Sequence, residues 1–163
     1  MYTLEKIYQT KLSGIHFYPE TALKEGILSV VEQERYRGRV LFLDIWGTWC
    51  GPCRDEFPHM QKVKDELQDA EITYLYFSDE KTEAPEAHWM KTVKFYNLKG
   101  DHYLVKKDLI FQFLKDIDQY KPMFSYPTYM IVNRRGEIID HAAPNPSDKE
   151  ALLAALRKAL AEE

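Results

Sequence analysis

Apolar residues along this chain follow two alternating patterns. Short continuous apolar runs, typical of buried strands, cover Val40 to Trp46, Ile72 to Phe77 and Thr128 to Val132. Elsewhere apolar residues recur every three or four positions, as on one face of a helix. Three such stripes are Phe57, Met60, Val63 and Leu67; Trp89, Val93 and Tyr96; and Leu152, Leu153, Leu156 and Leu160. This alternation predicts an α/β fold in which parallel strands are joined by helices.

The segment before the first long strand is predicted to be extended and then helical. Residues 1–20 are rich in aromatic residues, and we predict an extended arm packed over the domain. Thr21 is predicted to begin a helix that ends at Gly38. Gly26 weakens the helical pattern, because glycine is a poor helix former. The predicted apolar face consists of Leu23, Ile27, Val30 and Val31.

The middle of the chain is predicted to add one short strand and two helices. Ser78 to Ala84 is polar and is predicted to be a loop, after which Pro85 begins a helix. Tyr103 to Val105 is a candidate strand. Asp108 is a candidate N-cap for a helix with the apolar residues Leu109, Ile110, Phe113, Leu114 and Ile117.

The C-terminal part is predicted to form a hairpin and a last helix. The strand Thr128 to Val132 is followed by Glu137 to Asp140, across a turn with Gly136 at its end. Ser147 and Glu150 have the spacing of a capping box. Because no repeat or linker interrupts the pattern, residues 1–163 are predicted to form one domain.

Composition and charge narrow the class of protein. Of the 163 residues, 45% are hydrophobic and 29% are charged, which is ordinary for a folded globular protein. The formal net charge of −4 disfavours a nucleic-acid partner, because a polyanion is bound chiefly through positive charge. No run approaches the roughly 18 apolar residues that cross a membrane, and no basic-then-apolar secretion signal opens the chain.

The only two cysteines, Cys50 and Cys53, directly follow the first long strand. On the first turn of a helix, this spacing brings the sulfurs close enough to form a disulfide without refolding. So small a ring removes little entropy from the unfolded chain, about 2 kcal/mol by the loop formula, so the spacing suits a redox switch better than a crosslink. Pro52 fits a first helical turn, where its missing N–H leaves no hydrogen bond unmade.

The two cysteines are predicted to have different roles. Cys50 would lie at the helix N-terminus, where free N–H groups and the helix dipole stabilise a thiolate. We therefore expect Cys50 to be exposed and to attack the substrate, and Cys53, one turn further in, to resolve the intermediate. Arg54 either adds positive charge near Cys50 or is a solvated surface residue.

Asp44 is a carboxylate inside an otherwise apolar strand. Burial raises the pKa of a carboxyl group, and Asp44 would then be a plausible proton acceptor for the resolving thiol. The alternative is an aspartate at a frayed strand end with its carboxylate in water.

The segment from Asp44 to Cys53, Asp-Ile-Trp-Gly-Thr-Trp-Cys-Gly-Pro-Cys, resembles the active-site segment of thioredoxins. Its continuation to Pro58, Cys-Arg-Asp-Glu-Phe-Pro, resembles the TlpA/ResA-like branch. The resemblance covers about residues 38–163, preceded by an N-terminal extension over residues 1–37. It implies a thioredoxin fold, with a central mixed β-sheet flanked by helices, a central strand-helix insertion and a helix kink at Pro58.

The resemblance also implies a chemistry, that of a thiol-disulfide oxidoreductase with no cofactor beyond the Cys50–Cys53 disulfide. Its partners would be protein thiol or disulfide substrates and an upstream electron donor. Gly51-Pro52 resembles the reducing members and favours a reductase. The implied location is the bacterial cell envelope or periplasm, with the cytoplasm left open. The implied site residues are Cys50, Cys53, Asp44 and Glu56 for catalysis, and Trp49, Gly51, Pro52, Tyr126 and Pro127 for substrate binding, with Tyr126-Pro127 as a cis bond.

The residues leave several alternatives open. Trp49 either faces the substrate or is a core aromatic residue, and Glu56 either tunes thiol ionisation or balances the helix dipole as a first-turn glutamate. The protein could also be a disulfide-forming oxidase or isomerase, or a redox sensor that binds a partner without turnover. A zinc site is disfavoured and no metal is predicted, because there is no second close ligand pair among His16, His59, His88, His102 and His141.

Overall fold

The computed structural model describes residues 14–163, whose centre is a six-stranded sheet. The strands lie in the order β1-β4-β3-β2-β5-β6. Strands β1 to β4 run parallel to one another, and β5 and β6 are antiparallel to their neighbours. The strands are β1 (Ile15–Tyr18), β2 (Val40–Trp46), β3 (Ile72–Asp79), β4 (Gly100–Val105), β5 (Thr128–Val132) and β6 (Ile138–Asp140).

Five α-helices connect or flank these strands within the described part of the chain. Two short 3₁₀ turns, Glu20–Leu23 and Glu34–Tyr36, lie on either side of the first helix. None of the helices in residues 14–163 is both long and apolar enough to cross a membrane. The helices are α1 (Ile27–Val31), α2 (Gly51–Glu66), α3 (Glu86–Phe95), α4 (Lys107–Asp116) and α5 (Lys149–Ala161).

Alternating residues of β2 divide the core between the two faces of the sheet. Leu41, Leu43 and Ile45 pack in one cluster with residues of α1 and α4. Val40 and Phe42 pack on the opposite face with residues of α2 and α5. Because the side-chain period of a strand is two, Asp44 and Trp46 point to the face of the sheet that α2 covers. The strand is therefore covered on both sides, as its continuous apolar run predicted.

The predicted fold class is confirmed, including the central insertion. Strand β4 and helix α4 supply the predicted extra strand and helix, and β4 lies in the sheet between β1 and β3. The arm predicted over residues 1–20 falls largely on residues 1–13, which are outside the described range. Its end, Ile15–Tyr18, is extended and forms an edge strand paired with β4.

The single helix predicted from Thr21 to Gly38 is wrong. The chain forms a 3₁₀ turn, then α1, then a second 3₁₀ turn, with a break at Gly26, which has a φ of 90°. A glycine takes this left-handed conformation at little cost, and the helix cannot continue through it. The predicted apolar face is nevertheless buried, at Leu23, Ile27, Val30 and Val31.

Both predicted side-chain caps are also wrong. Helix α4 begins after Lys106, so Asp108 lies within its first turn. Helix α5 begins after Asp148 without a side-chain cap, and Ser147 is hydrogen-bonded to Glu56 instead. A tertiary hydrogen bond has here replaced the local one that the spacing suggested.

The polar loop predicted at Ser78 to Ala84 begins two residues later than expected. Ser78 and Asp79 continue β3 and are buried: Ser78 pairs with both β2 and β4, and Asp79 pairs with β4. The strand predicted at Tyr103 to Val105 starts three residues earlier than predicted, at Gly100. The hairpin of β5 and β6 and the start of α3 after Pro85 are confirmed.

The apolar stripe of α5 provides a test of this packing. Leu156 is fully buried, whereas Leu160 is only half-buried near the helix end. We expect Leu156→Ala to lower the free energy of unfolding by about 2–5 kcal/mol and Leu160→Ala by about 1 kcal/mol, because the first leaves a closed cavity. Urea denaturation of both variants measures the difference. Equal losses would contradict this placement of α5.

Candidate active site

The two cysteines lie where β2 ends and α2 begins. They are joined in a disulfide, with 5.3 Å between their Cα atoms. Cys50 is the N-cap residue of α2, and its sulfur accepts a hydrogen bond from the Cys53 N–H at 3.2 Å. Pro52 occupies the first turn, as predicted. The sulfur of Cys50 thus lies at the positive end of the helix dipole.

The expected exposure of Cys50 is not found in this disulfide state. Its exposed fraction is 4%, against 1% for Cys53. Both cysteines belong to an apolar cluster that includes Trp46 and Phe57, and Tyr126 packs against its edge. Aromatic packing around the disulfide therefore leaves a substrate only a narrow approach to Cys50.

The loop that leads to Cys50 is tied to the end of β3. The Trp49 indole N–H donates a hydrogen bond to the Asp79 carbonyl at 2.7 Å. The Thr48 backbone N–H donates to the Glu80 carboxylate at 3.1 Å, and the Thr48 hydroxyl donates to the same carboxylate. A Cβ on Gly47 would lie 2.8 Å from the Asp79 carbonyl oxygen, so this close approach requires glycine. These contacts hold the N-terminus of α2 in place.

The cis bond predicted between Tyr126 and Pro127 is confirmed. The Tyr126 hydroxyl donates a 2.5 Å hydrogen bond to the Asp79 carboxylate, and its ring meets Trp49 edge-on at 5.1 Å. Trp49 itself is 40% exposed, and the Lys81 amine lies 3.7 Å from its ring centre. The cis-proline loop and the cysteine loop are therefore joined through Asp79 and Trp49.

Asp44 lies on the α2 face of β2 and is 3% exposed, so the alternative of a solvated carboxylate at a frayed strand end is wrong. It stands opposite Tyr76 in β3 and Tyr129 in β5. The pKa of Asp44 is raised to about 8, chiefly by burial; the charge of Lys64 opposes the shift and the negative charge of Glu56 adds to it. Its Oδ1 atom has no hydrogen-bond partner within residues 14–163.

Lys64, which was not predicted, lies further along α2, and its charge acts on Asp44. Its amine donates hydrogen bonds to the Tyr76 hydroxyl at 2.7 Å and to the Lys99 carbonyl at 2.8 Å. Burial lowers the pKa of Lys64 to about 7, while the charge of Asp44 opposes that shift. The pKa values of a buried acid and a half-buried lysine are thus both shifted towards neutral pH.

Glu56 is half-buried in the second turn of α2, so the alternative of a first-turn glutamate is wrong. Its carboxylate accepts hydrogen bonds from the Ser147 N–H at 2.7 Å and from the Ser147 hydroxyl at 2.8 Å. It therefore connects α2 to the segment before α5, and its charge reaches Asp44.

Sequence reasoning missed Lys64, Asp79 and Glu80. Two signals could have found them. Asp79 and Glu80 end a parallel strand beside β2, and the carboxyl ends of such strands form the usual binding edge of an α/β sheet. Lys64 is about three helical turns after Cys53 and so shares its face of α2. The histidines do not assemble, and no three His, Cys, Asp or Glu side chains within residues 14–163 form a metal-binding group.

Comparison with known sequences agrees with the predicted resemblance. The profile of the Redoxin family matches residues 13–156, which includes part of the predicted N-terminal extension. The thioredoxin-like protein YneN of Bacillus subtilis is 34% identical over 119 residues, covering 70% of this chain and 62% of YneN. The thiol-disulfide oxidoreductase ResA of Halalkalibacterium halodurans is 30% identical over 111 residues, covering 67% of this chain and 56% of ResA. The chain thus spans about 60% of the length of these relatives.

Solved structures support the same fold. The thioredoxin domain of a thiol-disulfide oxidoreductase from Bacteroides vulgatus matches with a TM-score of 0.61 and 20% identity, covering 77% of this chain and 82% of that one. A candidate DsbE-type thiol:disulfide interchange protein from Chlorobium tepidum matches with a TM-score of 0.60 and 25% identity, covering 77% and 83%. With its thioredoxin fold and paired cysteines, the chain belongs to the Redoxin family.

Proposed function

We propose that this chain is a thiol-disulfide oxidoreductase that reduces disulfides in other proteins. The observation that carries the proposal is the Cys50–Cys53 disulfide at the N-terminus of α2, in a chain of the Redoxin family. The names of ResA and of the Chlorobium interchange protein agree with this class of activity. The reduced thiols of Cys50 and Cys53 carry the two electrons, which leave as the disulfide forms, so the proposal includes no other cofactor.

The reaction proceeds in two exchanges. In the reduced protein, the Cys50 thiolate attacks one sulfur of the substrate disulfide, forms a mixed disulfide and releases the other sulfur as a thiolate. Cys53 then loses its proton and attacks the Cys50 sulfur, which releases the second substrate thiolate and leaves the Cys50–Cys53 disulfide. Two electrons pass to the substrate, and the released thiolates take up two protons. The N–H groups and dipole at the start of α2 stabilise the Cys50 thiolate.

Asp44 acts in this scheme as the proton acceptor for Cys53. It lies on the face of β2 that α2 covers and is shielded from water. A carboxylate with a raised pKa is a stronger base than an ordinary aspartate and still ionises near neutral pH. Glu56 modulates Asp44 through its charge, which raises the pKa of Asp44.

The substrate chain binds along the surface formed by the cysteine turn and the cis-proline loop. Trp49, which is 40% exposed, directly precedes Cys50, and Gly51 adds no side chain that would block the approach. Tyr126 and Pro127 border the other side, where an extended backbone can pair with the polar groups before the proline. Pro52, exposed in the first turn of α2, completes this surface.

The proposal extends to the partners and to the location. The Gly51-Pro52 pair resembles reducing members of the thioredoxin-like proteins and supports the reductase direction. A reductase needs an upstream dithiol donor to return Cys50 and Cys53 to the reduced state. The resemblance to the TlpA/ResA-like branch supports a location in the bacterial cell envelope. We also propose that residues 1–163 act as one domain.

Trapping tests the roles of the two cysteines. We expect Cys53→Ser to accumulate mixed disulfides with substrate proteins through Cys50, because the resolving thiol is absent. Cys50→Ser is the matched control and should trap nothing. Non-reducing gels with mass spectrometry identify the linked residue. Trapping through Cys53 in the control would reverse the assigned roles.

The reduction potential of the pair tests the direction of electron flow. We expect a value near the roughly −270 mV of thioredoxin, because the proposed reductase must donate electrons. Equilibration with glutathione or dithiothreitol, followed by alkylation, measures it. A value near the roughly −120 mV of DsbA would instead identify a disulfide-forming oxidase.

Asp44→Asn tests the proton acceptor. In the unaltered protein, the rate of resolution should rise with pH through about 8, as Asp44 loses its proton. The Asn variant should resolve the mixed disulfide about 100-fold more slowly, without this inflection, because an amide cannot accept the proton. Stopped-flow measurement across pH shows both effects, and an unchanged pH profile would contradict the role.

The free energy of unfolding of the Asp44→Asn variant shows whether the substitution disturbs the fold. The folded-state pKa of Asp44 is raised, so its contribution to stability is complete below its unfolded pKa of about 4 and is lost as pH rises through about 8. The Asn variant has no ionisable group at this position and therefore does not lose this stability as pH rises. Its free energy of unfolding should exceed that of the unaltered protein increasingly between these pH values, so slow resolution cannot be ascribed to unfolding.

A further inference from the structure

A groove of about 250 Å³ lies beside the cysteine turn, between the start of α2 and the outer face of α3. One wall comes from the active-site segment, at Thr48 and Arg54. The other comes from α3 and the residue after it, at His88, Lys91, Thr92, Phe95 and Tyr96. Thr48 is held by Glu80, so the groove has a fixed position relative to Cys50.

The outer face of α3 carries a large exposed aromatic residue, which is unusual for a helix face in water. Its inner face is buried at Trp89, Met90 and Val93. Phe95, on the opposite side, is 79% exposed and meets Tyr96 edge-on at 4.9 Å. Lys91 lies one turn before Phe95, so both side chains project along the same side of the helix. An apolar ring thus stands next to a cation in the wall of the groove.

The exposed charges of the groove are positive, although the chain as a whole is negative. Arg54 and Lys91 are exposed, and neither forms an ion pair within the described part of the chain. The Arg54 guanidinium reaches back over the cysteine turn, 3.9 Å from where a Cβ on Gly51 would lie. Arg54 is thus a solvated arginine that lies next to the cysteine turn. The nearby Glu80 carboxylate is engaged by Thr48.

We propose that this groove binds the stretch of a substrate protein next to its disulfide, and that it selects acidic stretches that carry an aromatic or aliphatic side chain. The proposal rests on the reductase function and names the substrate class for that site. Carboxylates of the substrate pair with Arg54 and Lys91, and its apolar side chain covers Phe95. Burying an aromatic ring supplies the larger part of the affinity, and the exposed ion pairs supply the charge preference. Binding here presents the substrate disulfide to Cys50.

The test uses two disulfide peptides that share one apolar residue and differ only in acidic or basic flanks. Bis(2-hydroxyethyl) disulfide, which is too small to fill the groove, reports on the cysteines alone. The unaltered protein should show a KM for the acidic peptide about fivefold below that for the basic peptide, with similar kcat. The preference should fade in high salt, which screens exposed charges.

Lys91→Glu should raise KM for the acidic peptide about fivefold, lower KM for the basic peptide, and leave reduction of the small disulfide unchanged. Lys94→Glu is the matched control, because Lys94 is exposed on the same helix but does not line the groove. Phe95→Ser should raise KM for both peptides alike, without a change in charge preference.

The outcomes separate the two proposals. Reduction of the small disulfide without any charge preference among peptides, or identical behaviour of the Lys91 and Lys94 variants, would overturn the groove and leave the reductase function intact. If the unaltered protein reduced neither the peptides nor the small disulfide, the reductase function would fail, and the groove proposal with it.

Discussion

The parallel pairing of β2 with β3 is the constraint on which the rest of this structure depends. The two strands stay in register from Val40 opposite Ile72 to Trp46 opposite Ser78. Their carboxyl ends therefore finish side by side, and the chain after β2 turns into a helix next to the end of β3. Asp79 and Glu80 then accept the hydrogen bonds that hold Trp49 and Thr48. A disulfide at the start of α2 gains its position from this shared strand end.

The same register places a carboxyl group, that of Asp44, in the apolar interior next to the sheet. Asp44 is held in the middle of the sheet between two tyrosines, with α2 above it. Lys64 on α2 supplies an opposing charge and shares a hydrogen bond with Tyr76. Desolvation pushes the pKa values of this acid and this base towards neutrality from opposite sides. The protein thus gives up stability at Asp44 and keeps a group that can exchange a proton near physiological pH.

The surface around the disulfide has two sides that differ in their contacts. On one side, Tyr126 and Trp49 are fixed to Asp79 and form the border with the cis-proline loop. On the other, Arg54 and the outer face of α3 border an open groove whose Arg54 and Lys91 side chains form no ion pair within residues 14–163. The cysteines themselves are buried between these sides. Under the proposed function, the two borders would therefore select the substrate more than the sulfurs do.

The sequence alone determined the elements whose signals are local. The apolar run of β2, the stripe of α2, the cysteine spacing and the turn at Gly136 each depend on neighbours within a few residues, and each was predicted correctly. The isolated carboxylate of Asp44 was also predicted to be buried, because a continuous apolar run is covered on both faces.

Only the tertiary structure decided which distant groups meet. Ser147 bonds to Glu56 across the fold in place of a local cap, and Lys64 reaches Tyr76 from another element. The nearly complete burial of Cys50 results from aromatic residues that come from several elements. Such contacts depend on the order and register of strands far apart in the chain, and local periodicity carries no information about them.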